Sequence, residues 1–486
     1  MQSSLIDSFF MSETSGHLRR YHVGWLALLF VCGAVLWSIF LNWGSIPFDF
    51  HDWAEINAPR VAFAGDAARK GVLPLHMPDG SALRNLTDRY MSIPDVLLTP
   101  QLLLLRWMDV GKFMLVNLLM LYSVGFAGLV WLQRRYHFSS FLFTILFILF
   151  NFNGHIVAHL SVGHYTWVGY FLLPWFFILL IKLEEIPPAR HWRWISLMAG
   201  LLFFLFLQGS FHQYLWCLLF LGFYVLANWR KALAVIGGAF FSGLLLLIRF
   251  LPVTLLFGQF DIEFRGGYPR PWQILSALVT ERLPIESKAF LNFNSNLGFW
   301  EFDLYVGIIG VFFLLLTAAA WLIPMFKARR FSPWLSPMLF MAFFSIYKFY
   351  QPLYSLPIPI LNSERVTSRF IIMPFLALLF IALPAVQERL NRWVKNWRSK
   401  VILLILAVWL GFDMLRHTLS WQVTEAAKAF PFTAVDLSIK TVANHPDPAY
   451  TNLILIGGIA SLLTALFLAT LSILEKRRER KISSEF

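Results

Sequence analysis

The sequence predicts an all-α polytopic membrane protein of about twelve transmembrane helices, and three observations carry that class. Apolar residues fill 58% of the 486 positions and charged residues only 14%, against roughly half and a quarter in a soluble domain. The apolar residues gather into runs near the about 20 residues that cross a bilayer as a helix. Lys and Arg cluster at alternate junctions between those runs, which marks one set of junctions as cytoplasmic.

Spans are expected near 22–41, 112–132, 138–156, 166–183, 194–209, 211–228, 233–256, 304–326, 334–350, 368–386, 401–416 and 452–474. The first, from Val23 to Leu41, is too long for the core of a cleaved signal peptide and has no small-residue cleavage site after it, so it reads as an uncleaved signal anchor. The basic junctions are Arg19-Arg20, Arg134-Arg135, Lys182 with Arg190 and Arg193, Arg230-Lys231, Lys327 with Arg329 and Arg330, Arg389 through Lys400, and Lys476 through Lys481; they hold over half of the 40 basic residues. Both termini are therefore expected in the cytoplasm: residues 1–21 as a short lead, 22–474 as a single transmembrane domain and 475–486 as a basic tail. The net charge of +13 is accounted for by this topology and by anionic headgroups, and does not imply nucleic acid. Cys32 and Cys217 both fall inside predicted spans, so no disulfide framework, redox motif or cysteine metal site is expected.

Four loops exceed what a turn requires, at 42–111, 257–303, 351–367 and 417–451, and all lie on the extracytoplasmic side by this topology. They are rich in Trp, Phe and Pro, which favours interfacial structure over disorder. Two runs that start near a Pro, Ile93–Trp107 and Pro271–Val279, are too short to span and read as helices lying on the membrane, as lids or as packing elements.

The strongest chemical feature follows the first span: Phe48-Asp49-Phe50-His51-Asp52-Trp53-Ala54-Glu55 sets Asp49, Asp52 and Glu55 beside aromatic rings. Carboxylates at an apolar boundary lose solvation and become proton acceptors, or are held ionised by a cation or metal. The alternative is a helix start, with Asp49 and Asp52 as caps of a turn carrying Glu55. Cations are expected at similar depth: Arg249 inside Leu244–Pro252, Lys348 near the end of the ninth span, and Arg365 and Arg369 entering the tenth. Snorkelling would account for Lys348; together the four could hold an anionic group such as a phosphate. His155 and His159 share a helix face at i, i+4, His164 follows, and His212 opens the sixth span. No HExxH pattern accompanies them, so hydrogen bonding to a headgroup or sugar is preferred over a metal.

Four stretches carry a resemblance: Phe48 to Glu55; Leu121 to Leu183 with Phe150-Asn151-Phe152-Asn153-Gly154-His155, Gly163-His164 and Leu173-Pro174-Trp175; Tyr305-Val306-Gly307-Ile308-Ile309-Gly310; and Ser363-Glu364-Arg365-Val366-Thr367-Ser368-Arg369-Phe370. Over residues 20–390 or so the chain resembles the multi-spanning glycosyltransferases of the GT-C fold, and among them the YfhO-like membrane proteins. The resemblance implies a GT-C-like helical fold and transfer of a sugar from a polyprenyl-phosphate-linked donor to a lipid, glycan or protein acceptor, in a bacterial or archaeal plasma membrane. It implies an Asp of the first outer loop as base, by position Asp52 or Asp49, with Arg249, Arg365 or Arg369 meeting the departing phosphate. The metal-binding pattern of the oligosaccharyltransferase branch is absent, so a divalent metal is possible and not favoured. Competing readings are a polytopic lipid or solute transporter or flippase, which internal repeats and broken helices would support, and a non-catalytic membrane subunit of a larger complex.

Overall fold

A computed structural model describes residues 5–11, 16–78, 87–187, 191–256, 265–281, 297–356, 361, 364–435 and 440–484. Parts of all four long loops, Ser363 among them, lie outside the described residues. Among the described residues the chain is helical without a β-strand; pairing is limited to isolated bridges such as Gly266 with Val366. Among the described residues eight helices are long and apolar enough to cross a membrane: Arg20–Phe40, Val110–Tyr136, Ser140–Ser161, Tyr165–Glu185, Gly307–Ala328, Thr367–Trp393, Trp397–Ser420 and Pro448–Arg478. The predicted seventh span is a pair, Trp229–Leu245 and Leu247–Leu256, bent by 72°. Three more predicted spans are short apolar helices, Trp192–Leu207, Phe211–Ala227 and Leu335–Phe344. At a rise of about 1.5 Å per residue the last of these covers only about 15 Å, half the hydrocarbon thickness. All twelve predicted segments thus coincide with apolar helix, in an all-α membrane protein.

The chain groups into two compact units, one of Met1–Pro47, Leu118–Gly163 and Glu263–Pro431, the other of Phe48–Asn117, His164–Ile262 and Phe432–Phe486. At the centre of the first, Ser140–Asn151 is buried nearly throughout and touches helices Gly16–Phe40, Ile372–Trp393 and Trp397–Ser420. Ser139 caps it by accepting from the Leu142 amide, and donates its own amide to Gln387 Oε1 at 2.8 Å. Asn153 splices it to Gly154–Ser161: its Nδ2 donates to the carbonyls of Leu149 and Phe150, and its Oδ1 accepts from the Ile156 amide. Gly154 leaves room there for Asp303, whose Oδ1 would sit 1.7 Å from an added Cβ. Other helices turn apolar side chains outward, including Ile405, Trp409 and Phe412 of Trp397–Ser420, as suits a chain whose solvent is lipid.

In the second unit Ala232–Leu245 packs along Trp192–Leu207, and Leu247–Leu256 packs along the 37-residue helix Pro448–Ser484. That second contact is a backbone approach. A Cβ on Gly457 would lie 2.5 Å from the Leu247 carbonyl oxygen, and Ser461 Oγ accepts from the Ile248 amide at 3.2 Å, which partners a donor exposed by the bend. At Gly458 an added Cβ meets nothing closer than Ile248 Cδ1 at 3.6 Å, an ordinary contact. Gly457→Ala should therefore lower stability by about 1–3 kcal/mol through overpacking, and Gly458→Ala should be close to neutral. Thermal unfolding of the two detergent-solubilised variants checks this, and equal midpoints would rule out the close seam.

Candidate functional site

The acidic motif lies in the second unit, and its backbone is unusual. His51 has φ 42°, and residues Trp53–Asn57 form a π-type turn before helix Ala58–Lys70 begins. Such turns and left-handed non-glycine residues are held only where surrounding structure imposes them, often at functional positions. Asp52 starts the turn without a side-chain capping hydrogen bond, so the helix-cap alternative does not describe it. Its carboxylate instead meets His164 Nε2 at 3.1 Å and His51 Nδ1 at 3.6 Å. Asp52 is 17% exposed and His164 11%, close to solvent without being flooded by it. Asp49 is exposed, and its carbonyl accepts from the Thr433 amide at 2.7 Å. Glu55 is half-buried within the π-type turn.

His164 opens the 3₁₀ run Tyr165–Leu172, which Ser210 secures by donating its hydroxyl to the Thr166 carbonyl. Within that run Trp167 has its ring 5.7 Å from that of His164, 6.2 Å from His212 and 5.2 Å from Trp216. Asp52, His164 and His212, nominated separately from sequence, are thereby gathered along one wall with His51 and Trp167. A carboxylate paired with an imidazole and bordered by aromatic rings can accept a proton from a hydroxyl while the rings offer a face to a sugar or lipid.

Arg249 belongs to the same unit and is fully buried, with its guanidinium bonded to backbone: NH2 donates to the Ile93 carbonyl at 2.6 Å and NH1 reaches that of Val96 at 3.5 Å. Arg60 holds Asp95 in the same segment at 3.0 Å, and Tyr90 donates its hydroxyl to the Leu97 carbonyl at 3.1 Å. Burial pushes the Tyr90 phenol up to about 12, so it is a neutral donor. The run expected to lie on the membrane as one helix is consequently a pinned, non-helical stretch at Ile93–Leu97, followed by the 3₁₀ helix Pro100–Arg106. The equivalent run in the second loop does form a helix, Pro271–Ala277.

In the first unit Arg369 is likewise engaged. Its Nε and NH2 form a two-pronged bond to Glu301 at 2.7 Å each, and NH1 lies 3.4 Å from Glu364, with all three side chains buried. Ser368 adds a 2.6 Å bond to the Glu301 carbonyl. His159 Nε2 is 3.9 Å from Glu301, and its ring centroid is 4.9 Å from that of His155; both histidines are buried. Arg365 is half-buried, its carbonyl accepting from the Gly266 amide, and Lys348 is exposed beyond the break at Ser345–Ile346. One further cluster escaped sequence reasoning. Asp303 is buried against His417 Nε2 at 3.2 Å, His417 stacks on Tyr305 at 4.3 Å, and Tyr305 donates to Asp413 at 2.9 Å, next to a cleft of about 300 Å³ lined by Glu281, Arg416, His417, Ser420 and Glu425. The available sign was that Glu301 and Asp303 are acids at the end of an apolar loop.

Substitutions at Glu301, Arg369 and Arg249 separate these structural roles from ligand binding. Glu301→Gln removes the two-pronged partner of the buried Arg369, leaving only the longer contact to Glu364, and should cost about 3–5 kcal/mol; because Arg369→Met breaks the same pair, the double variant should cost less than the sum of the two single losses, and additive losses in a double-mutant thermal cycle would refute the pairing. Arg249→Met leaves two carbonyls without their donor and should destabilise by at least about 2 kcal/mol, with proteolysis appearing first near residues 93–107. Compared with known proteins, the chain matches no family model and no curated protein.

Proposed function

We propose that this membrane protein is a glycosyltransferase that moves a sugar from a polyprenyl-phosphate-linked donor to an acceptor hydroxyl on the extracytoplasmic face, with Asp52 as the base. The observation that carries this reading is the 3.1 Å pairing of Asp52 with His164 on a strained turn bordered by Trp167 and His212. In the reaction the acceptor O–H gives its proton to an Asp52 oxygen as the acceptor oxygen forms its bond to the anomeric carbon. The bond from that carbon to the donor phosphate breaks, the lipid phosphate leaves with the electron pair, and the single displacement inverts the anomeric centre. His164 and His51 orient the carboxylate, and an imidazole N–H donating to one oxygen leaves the other to receive the proton.

Asp49, turned outward and exposed, is the weaker candidate. Arg249 and Arg369 bond to protein acceptors, so this reading assigns neither of them to the departing phosphate. It keeps the predicted topology of twelve crossings with both termini in the cytoplasm and a GT-C-like arrangement, supported by the coincidence of all twelve apolar segments with helix.

One observation favours a transporter or flippase instead: the seventh span is broken by 72° at Leu246, and broken helices are a feature of carriers. The Ile248 amide at the break, however, is met by Ser461 and Arg249 by fixed carbonyls, which suits a static bend.

Sugar transfer from a radiolabelled polyprenyl-phosphate donor in membranes decides between them. Asp52→Asn should lower turnover by about 10²–10⁴-fold, as loss of a general base does, with Asp49→Asn near wild type and His164→Gln between. Wild-type turnover by Asp52→Asn would remove the base, and solute movement without any transfer would establish the carrier.

A further inference from the structure

Downstream of the acidic motif, three stretches of the second unit are tied into one polar corner. The His76 amide donates to Asn444 Oδ1 at 3.0 Å, the Ala443 amide to the His76 carbonyl at 3.0 Å, and the Met77 amide to the Asp88 carbonyl at 2.8 Å. The Val442 amide adds a 2.8 Å bond to Asp66. These bonds fix the backbone beneath His76, Asp88 and His445, each of which brings one potential ligand atom within 4.8 Å of the other two. The His76 and His445 rings lie 4.0 Å apart at 33°, and His445 Nε2 is 2.9 Å from Asp88 Oδ2.

His76 supplies the independent sign of a ligand. Its side chain is fully buried; Nε2 faces Asp447 Oδ2 at 3.5 Å, while Nδ1 is buried and has no hydrogen-bond partner among the described residues. Asp447 is itself held by Arg89 Nε at 2.6 Å and by the Tyr450 amide at 3.2 Å. A carboxylate that engages one imidazole nitrogen and leaves the other buried without a protein partner is the outer-shell arrangement that orients histidine ligands of metals.

We propose that His76, Asp88 and His445 bind a divalent ion of the zinc class, with Asp447 as the residue that positions His76. Two imidazoles and a carboxylate suit zinc and not the all-oxygen preferences of magnesium or calcium. Ligand atoms of a tetrahedral ion with bonds of about 2.0–2.1 Å lie about 3.3 Å apart, so binding draws these atoms together from within 4.8 Å and turns the two closely stacked imidazoles so that their ring nitrogens face the ion. The ion clips the first long loop to the segment leading into helix Pro448–Ser484, and its binding energy becomes folding energy. The assignment does not depend on glycosyl transfer.

Calorimetric titration of tag-free, chelator-stripped full-length protein with zinc chloride, followed by X-ray absorption, tests the site. One zinc per chain, bound at micromolar concentration or tighter through nitrogen and oxygen donors, with a rise in melting midpoint that magnesium does not reproduce, is expected. Asp447→Asn should weaken binding by about 10–100-fold, and Asp88→Asn and His445→Ala by more. The His445 side chain is 51% exposed and that of Asp88 35%, so these variants keep the fold. No stoichiometric zinc in the wild type, or wild-type affinity in His445→Ala, would overturn the assignment.

Discussion

Wherever a helix in this chain stops inside apolar surroundings, the freed backbone groups must find partners within the protein, because lipid offers none. The described structure is organised around that constraint. Asn153 bridges the break after Asn151, Gln387 takes the Ser139 amide, and Gln422 donates to the Ile39 carbonyl where the first long helix has ended. Ser461 closes the bend at Leu246, and Arg249 supplies donors to the Ile93 and Val96 carbonyls of a non-helical stretch. Polar side chains that look anomalous in an apolar sequence are mostly these local substitutes for water.

The same constraint explains why the chemistry gathers at irregular backbone. A helix interior has no unsatisfied group with which to orient a side chain, whereas the π-type turn at Trp53–Asn57 and the 3₁₀ run after His164 set theirs at angles a regular helix does not offer. Asp52 and His164 meet because both stand at such places. Arg369 and Glu301 meet at another, where the loop 297–306 runs against the start of the Thr367–Ile371 turn.

Apolar runs and basic junctions made the helices legible, since hydropathy acts locally. The lengths were less so: the span expected over 334–350 stops at Phe344 and the one expected over 138–156 continues to Ser161, whereas the break at Gln208-Gly209-Ser210 was readable as a polar interruption. Of the candidate site, Asp52, His164 and His212 were legible as polar residues at the ends of apolar runs. Their pairing was not, because it spans over a hundred residues. Arg249 was conspicuous in the sequence, yet its partners are carbonyl oxygens, which every residue carries and no pattern reveals. Arg369 was noticed as a cation and not as half of a pair, because Glu301 stands 68 positions away. The His76 corner needed residues from the two ends of the chain and left no spacing to read.

The final helix, 37 residues from Pro448 to Ser484, is about 55 Å long by its rise. A hydrocarbon layer is about 30 Å thick, so the rod must either lean or emerge. Its charges begin at Glu475 and continue through Lys476, Arg477 and Arg478, which marks where it leaves the apolar layer and enters the headgroups. Gly457 and Ser461 weld it to the bent seventh segment about four turns above that point. The charged end therefore acts as a depth gauge: headgroup attraction at the far end of the rod sets how deeply this helix, and the bent segment welded to it, rides in the bilayer.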